Sequence, residues 1–162
     1  MTKPMSLAFL FSCAAFGQVA DPTNIAAIGG SWDQSASSMT SQQFAMTAMY
    51  ARKQTQAGTY AFTVLDVVPT SVKPITFTTQ TSVGLGQCGL HLGSWNLCGT
   101  AAAGPSWTGN NAGWAWTWGG MAKHSLGKHG WMLMPNVRVI RSSVNNRSGS
   151  QMIVGALFGF GK

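Results

Sequence analysis

The sequence predicts an all-β protein, an eight-stranded antiparallel up-and-down transmembrane β-barrel. Three observations carry that expectation. The final stretch, Gln151 to Lys162 (QMIVGALFGFGK), alternates with period 2. Met152, Val154, Ala156, Phe158 and Phe160 share one face, and Ile153, Gly155, Leu157, Gly159 and Gly161 the other. Period 2 marks a strand. An apolar strand aggregates along its open edge unless something pairs with it, so this one is expected to close a barrel against the first strand. Second, hydrophobic residues make up 45% of the chain and charged residues 8%, against about 25% charged in a soluble domain. Yet no apolar run reaches the roughly 18 residues of a membrane helix. Third, strand-like segments recur along the chain, joined by connections that alternate between long and short. That is the plan of a barrel that crosses a membrane with lipid-facing residues at every second position.

In chain order, Met1 to Gly17 (MTKPMSLAFLFSCAAFG) has a cation at Lys3, an apolar stretch from Ser6 to Phe16 and small residues at Ala15 and Gly17. That is the order of a secretory signal peptide, which leaves residues 18–162 as a single barrel domain. An imperfect lipoprotein box at Leu10-Phe11-Ser12-Cys13 and a retained amphipathic helix are the alternative readings. Strands are expected near Asn24 to Trp32, Gln42 to Lys53, Gly58 to Val68, Ile75 to Gly86, Leu90 to Ala101, Gly113 to Ala122, Gly130 to Arg141 and Gln151 to Gly161. The long connections would be Asp33 to Ser41, Ala102 to Ala112 and Ser142 to Ser150; the short ones include Gln54 to Ala57 and Gln87 to Gly89. Loop parity puts both chain ends in the periplasm.

The faces follow. Phe44, Met46, Ala48 and Tyr50 line one side of the second strand, and Tyr60, Phe62 and Val64 one side of the third. Trp114, Trp116 and Trp118 line one side of the sixth, and Trp131, Leu133, Val137 and Val139 one side of the seventh. All are expected to point away from the barrel axis, Phe44, Phe62, Trp116 and Val139 among them. Tyr50, Tyr60, Trp131 and Phe160 fall near strand ends and read as membrane-interface aromatics, whose rings carry an apolar body and, for most, a polar tip.

Two cysteines remain after the leader. A hairpin turning near Gly93 would set Cys88 opposite Cys98 for a disulfide, which export permits; free thiols, or ligation with His91, are the other readings. The formal net charge is +7. Rims and loops need polar groups, and the excess also suits anionic lipid headgroups. Nucleic acid is excluded because the cations do not cluster, Arg52-Lys53 being the one adjacent pair. Eight strands leave an interior that side chains fill, which argues against a wide pore. The charge expected on the inner face is Arg138, placed near the outer rim within reach of water; a buried gate or ligand residue is the other reading.

With these residues in view, the chain resembles the small eight-stranded outer-membrane barrels of Gram-negative bacteria, the outer-membrane protein A and X types. The resemblance rests on the leader, the strand count, the loop alternation and the terminal GALFGFGK, although the family's chain usually ends on the aromatic and Phe160 here is third from the end. It implies an integral outer-membrane protein embedded in the lipid bilayer. Some members of the class modify lipid A with a histidine, a serine and an acid. Here Asp33 and Asp66 fall toward the outer end, and His91, His124 and His129 toward the periplasmic end. A hydrocarbon layer of roughly 30 Å separates the two sets, so no triad, cofactor or metal site is expected. The KHSLGKH stretch, with Lys123, His124, Lys128 and His129, reads as a solvated turn, a pH-sensitive or metal-binding periplasmic rim being the alternative. The expected role is non-enzymatic: outward loops for surface interaction or envelope integrity, with Trp107 and Arg147 as contact residues, because exposed aromatics and arginines favour binding. The rival is a secreted soluble barrel of the lipocalin or avidin kind, with Trp114 and Trp116 turned inward around a small apolar ligand.

Overall fold

Alternation of side chains along each segment produces one closed sheet. The computed structural model describes residues 22–35, 43–72, 75–144 and 147–162. The strands are β1 (Asn24–Ser35), β2 (Gln43–Lys53), β3 (Thr59–Val72), β4 (Ile75–Leu92), β5 (Trp95–Thr108), β6 (Asn111–Ser125), β7 (Trp131–Val144) and β8 (Arg147–Gly161). Each pairs antiparallel with the next, and β8 returns to β1 in a register running from Ile25↔Gly161 to Ser35↔Gln151. The backbone of Asn24 and Lys162 exchanges two hydrogen bonds (2.9 and 3.0 Å) just beyond that seam. The terminal strand therefore loses its open edge to the first, as its sequence demands.

The barrel has a near end, where the chain enters and leaves, and a far end. The far-end connections depart from expectation. Ala102 to Ala112 is strand rather than loop: β5 continues to Thr108, turns through Gly109-Asn110 and resumes at Asn111. Likewise β7 continues to Val144 and β8 begins at Arg147. Small residues such as Ala102, Gly104 and Ser106 look loop-like in sequence, but here they point inward and are buried while their backbone stays paired. Pairing needs backbone groups, not bulk. At the near end the β4–β5 turn is Gly93-Ser94 rather than Gln87 to Gly89, and β4 carries a bulge between Cys88 and Leu90. Gly93 (φ 58°) and Gly109 (φ 57°) hold the left-handed conformation that such two-residue hairpin turns require.

Apolar side chains ring the outside. Ile28, Phe44, Met46, Tyr50, Leu85, Trp116, Trp118, Trp131, Phe158 and Phe160 are all exposed, Trp116 to 59%. On β7 the outward row runs from Trp131 through Val137 to Arg141. Ten residue steps at about 3.3 Å, tilted by about 40°, span roughly 25 Å along the axis. That is the height of a lipid-facing band.

One face is reversed from expectation. Tyr60, Phe62 and Val64 point into the barrel, Tyr60 being only 3% exposed, and they pack with Ile25, Met49, Met132, Met134 and Leu157 in the near-end core. Phe44 and Trp116 face out as expected, but Phe62 does not. The signal is Asp66. It shares parity with Tyr60, Phe62 and Val64, so turning those rings outward would put a carboxylate against acyl chains. A one-residue change of parity flips the whole set, and the buried charge decides which parity wins.

Candidate functional site

The interior is layered. Near-end apolar packing gives way at mid-height to a polar belt contributed by β2, β3 and β7. Asp66 on β3 is 1% exposed and Arg138 on β7 is 7% exposed. Arg138 Nη1 donates to Asp66 Oδ2 (2.9 Å) and Nη2 to Asp66 Oδ1 (2.8 Å), a two-pronged ion pair. The Thr47 hydroxyl donates to Asp66 Oδ1 (2.6 Å) and accepts from Arg138 Nη2 (3.1 Å), while Arg138 Nε donates to Asn136 Oδ1 (3.2 Å). Fork-to-carboxylate geometry with the remaining donors and acceptors occupied is the form in which a buried pair is tolerated. Arg138 is thus held inside at mid-barrel rather than reaching water at the outer rim.

Above the belt, Gln80 Nε2 donates to Ser82 Oγ (2.8 Å) and Thr117 Oγ1 (2.9 Å). Below it lies a cavity of about 30 Å³, bordered by Phe62, Met121, Lys123, Asn136 and Arg138. Lys123 is buried there, not solvated with the turn that follows it. Its Nζ donates to the Tyr60 hydroxyl (3.3 Å) and lies 4.4 Å from the centre of that ring. The Tyr60 hydroxyl donates in turn to the Pro22 carbonyl (2.9 Å). Tyr60 is therefore an internal residue tying β3, β6 and the entering chain, not a membrane-interface aromatic.

The remaining sequence candidates are distributed around the barrel. Cys88 and Cys98 form a disulfide across β4 and β5, with both side chains buried inside the wall. Tyr50 is exposed at the near end, and its hydroxyl donates to Asn24 Oδ1 (3.0 Å). Trp131 stacks on Phe158 (5.1 Å) and meets Phe160 edge-on (5.4 Å) at the same end. Trp107 is exposed on β5 near the far end. Arg147 opens β8 there, and its side chain lies outside the described residues. The leader assigned to residues 1–17 also lies outside them.

His91, His124 and His129 sit at the near end, whereas Asp33 is near the far end of β1 and Asp66 is enclosed in the ion pair. These groups do not meet. Among the described residues, no cluster of three or more His, Cys, Asp or Glu could hold a metal ion. The functional residue that sequence reading missed is Asp66 as the partner of Arg138. Its parity on the third strand was the signal that could have found it.

No protein-family model matches the chain, and no curated protein matches it in sequence. Among solved structures it is similar to Ail, the attachment invasion locus protein of Yersinia pestis, in its crystal form. The identity is 11%, 86% of this chain and all of that one are covered, and the TM-score is 0.50. The same outer membrane protein in a phospholipid bilayer nanodisc matches at 10% identity, equal coverage and a TM-score of 0.50. The fold is that of the small eight-stranded outer-membrane β-barrels. At this identity the likeness shows the fold alone.

Proposed function

We propose that the protein is an integral outer-membrane β-barrel. It is exported by the leader at residues 1–17, performs no chemistry, and turns its far end outward for surface interaction or envelope integrity. The observation that carries this reading is the outward apolar band of about 25 Å with aromatics at its near border. It surrounds an interior closed by the Arg138–Asp66 pair. The near end then lies in the periplasm. Trp107 and Arg147 stand at the outward end, where a partner would meet them.

The soluble ligand-binding alternative fares worse. A small-molecule pocket needs about 300–1,000 Å³, and the cavity of about 30 Å³ has room for roughly two waters. Trp114 and Trp116 are on the outside, where they cannot stack on an enclosed ligand.

The test begins with solubility and mobility. The mature chain should require detergent to stay in solution and should migrate differently on gels before and after boiling. A chain that stays monomeric in plain buffer would remove the membrane reading. Exchanging the far-end turns together with Trp107 and Arg147 should then alter cell-surface adhesion or envelope integrity. No change in either would remove the surface role while leaving the barrel.

A further inference from the structure

We propose that the near-end outer wall is a binding site for one anionic glycerophospholipid of the periplasmic leaflet. Its acyl chains would lie over β4 to β8 and its phosphate on the β6–β7 turn. The proposal rests on the membrane reading above and adds a specific occupant to it.

Most outward positions carry bulk, but Gly99, Gly120, Ala122 and Pro135 form a low area in the wall. Gly99 and Gly120 are direct partners across β5 and β6. Two adjoining depressions of about 810 and 780 Å³ meet there and share Gln87 and Gly99. The first is walled by Leu90, Leu97, Val137 and Val154, and the second rises to Leu85 and Trp118. Two shallow, largely apolar depressions that share a border offer a surface on which the acyl chains of a glycerophospholipid can lie.

The barrel itself does not need these glycines. A Cβ at Gly99 would meet nothing within 4 Å, and one at Gly120 only the Cys98 carbonyl at 3.8 Å. At Pro135 the β6–β7 ladder is interrupted between Met121↔Asn136 and His124↔Leu133, because proline has no N–H to give. Pro135 lies four residues above Trp131, about 10 Å along the axis, so the low area is within the periplasmic half of the band.

The rim beneath it is chemically one-sided. His124 lies against Trp95 (ring centres 4.7 Å apart), Lys128 and His129 are exposed in the turn, and His91 is exposed at the end of β4. Among the described residues no Asp or Glu side chain stands at this rim, since Asp66 is enclosed in the barrel and Asp33 is near the opposite end. Nitrogen donors with no Asp or Glu side chain beside them among the described residues suit a phosphate diester at headgroup depth. A second copy of the chain fits less well. Copies inserted in one membrane share an orientation, so a symmetric pair would set depression against depression and leave both unfilled.

Reconstitution of the mature chain in phosphatidylcholine vesicles containing spin-labelled phosphatidylglycerol or spin-labelled phosphatidylcholine tests this. The motionally restricted fraction should favour phosphatidylglycerol, on the order of fivefold for each cation engaged. Lys128→Ala with His129→Ala should abolish the preference. Gly120→Leu should lower the restricted fraction of both lipids while the heat-sensitive gel mobility is kept. An inserted, folded barrel that restrains both lipids equally overturns the site. So does one indifferent to Gly120→Leu, or one in which Gly99→Cys cross-links neighbouring copies at the expense of bound lipid. A chain that never enters the vesicles overturns the membrane reading instead.

Discussion

Truncating Asp66 strands a guanidinium inside the barrel. Asp66 accepts three hydrogen bonds, two from Arg138 and one from Thr47. Charged hydrogen bonds contribute about 1.5–3 kcal/mol each, so the two from Arg138 together represent roughly 3–6 kcal/mol. Breaking one side of a buried pair costs about 3–5 kcal/mol, which agrees. Asp66→Ala should therefore lose about 4 kcal/mol, a large share of the 5–15 kcal/mol by which a domain is typically stable. Removing both charges is a different matter, because an apolar pair of similar volume leaves no uncompensated charge, only the Thr47 hydroxyl and the Asn136 amide to re-pair. Asp66→Leu with Arg138→Met should recover to within about 1 kcal/mol of the parent. Urea titrations in detergent micelles or vesicles, followed by tryptophan fluorescence and by gel mobility, measure Asp66→Ala, the double variant and its two single variants, Asp66→Leu and Arg138→Met. A single variant that loses less than about 1 kcal/mol refutes the reasoning. So does a double variant whose loss equals the sum of the two single losses, since independent sites add and coupled ones do not.

Four further outcomes are expected. Ile28 is 60% exposed on the outer wall, and Ile28→Arg should cost about 2–4 kcal/mol in a bilayer; if the wall faced water the change would stay within about 0.5 kcal/mol. Tyr60→Phe removes the bond to Pro22 and one bond from Lys123 and should cost about 1–3 kcal/mol, whereas Tyr50→Phe at the exposed rim should cost under about 0.5 kcal/mol; parallel melts compare them. Cys88→Ala opens a cross-link between residues ten apart and should lose about 2–3 kcal/mol by loop entropy, and thiol labelling after reductant should appear only once denaturant opens the wall. Gly29 lies at the β1–β8 seam, where a Cβ would overlap the Ala156 carbonyl oxygen; Gly29→Ala should slow or prevent folding into vesicles, read as a reduced fraction of the heat-sensitive band.

Alternation along single segments was enough to locate all eight strands, to pair the last with the first and to put the fourth hairpin's cysteines within reach of each other. These are local facts, because a strand's period is written in consecutive residues and needs no partner to be read. Strand ends were less legible: Ala102 to Ser106 looked like loop because small residues are ambiguous until one sees that they fill a narrow interior. The face of β3 was misread for a related reason. Tyr60 and Phe62 are large and apolar, and taken alone they suit lipid as well as core.

The amino-acid order by itself determined that this chain makes a charge-poor, alternating, closed sheet. Only closure of the barrel decided that Lys123 turns inward to Tyr60 and that Asp66 meets Arg138, 72 residues away. The physical reason is that a buried charge has to be answered across the lumen. Which strand supplies the answer depends on where the ring of strands brings opposite walls together, and that distance appears nowhere in a neighbour-by-neighbour pattern.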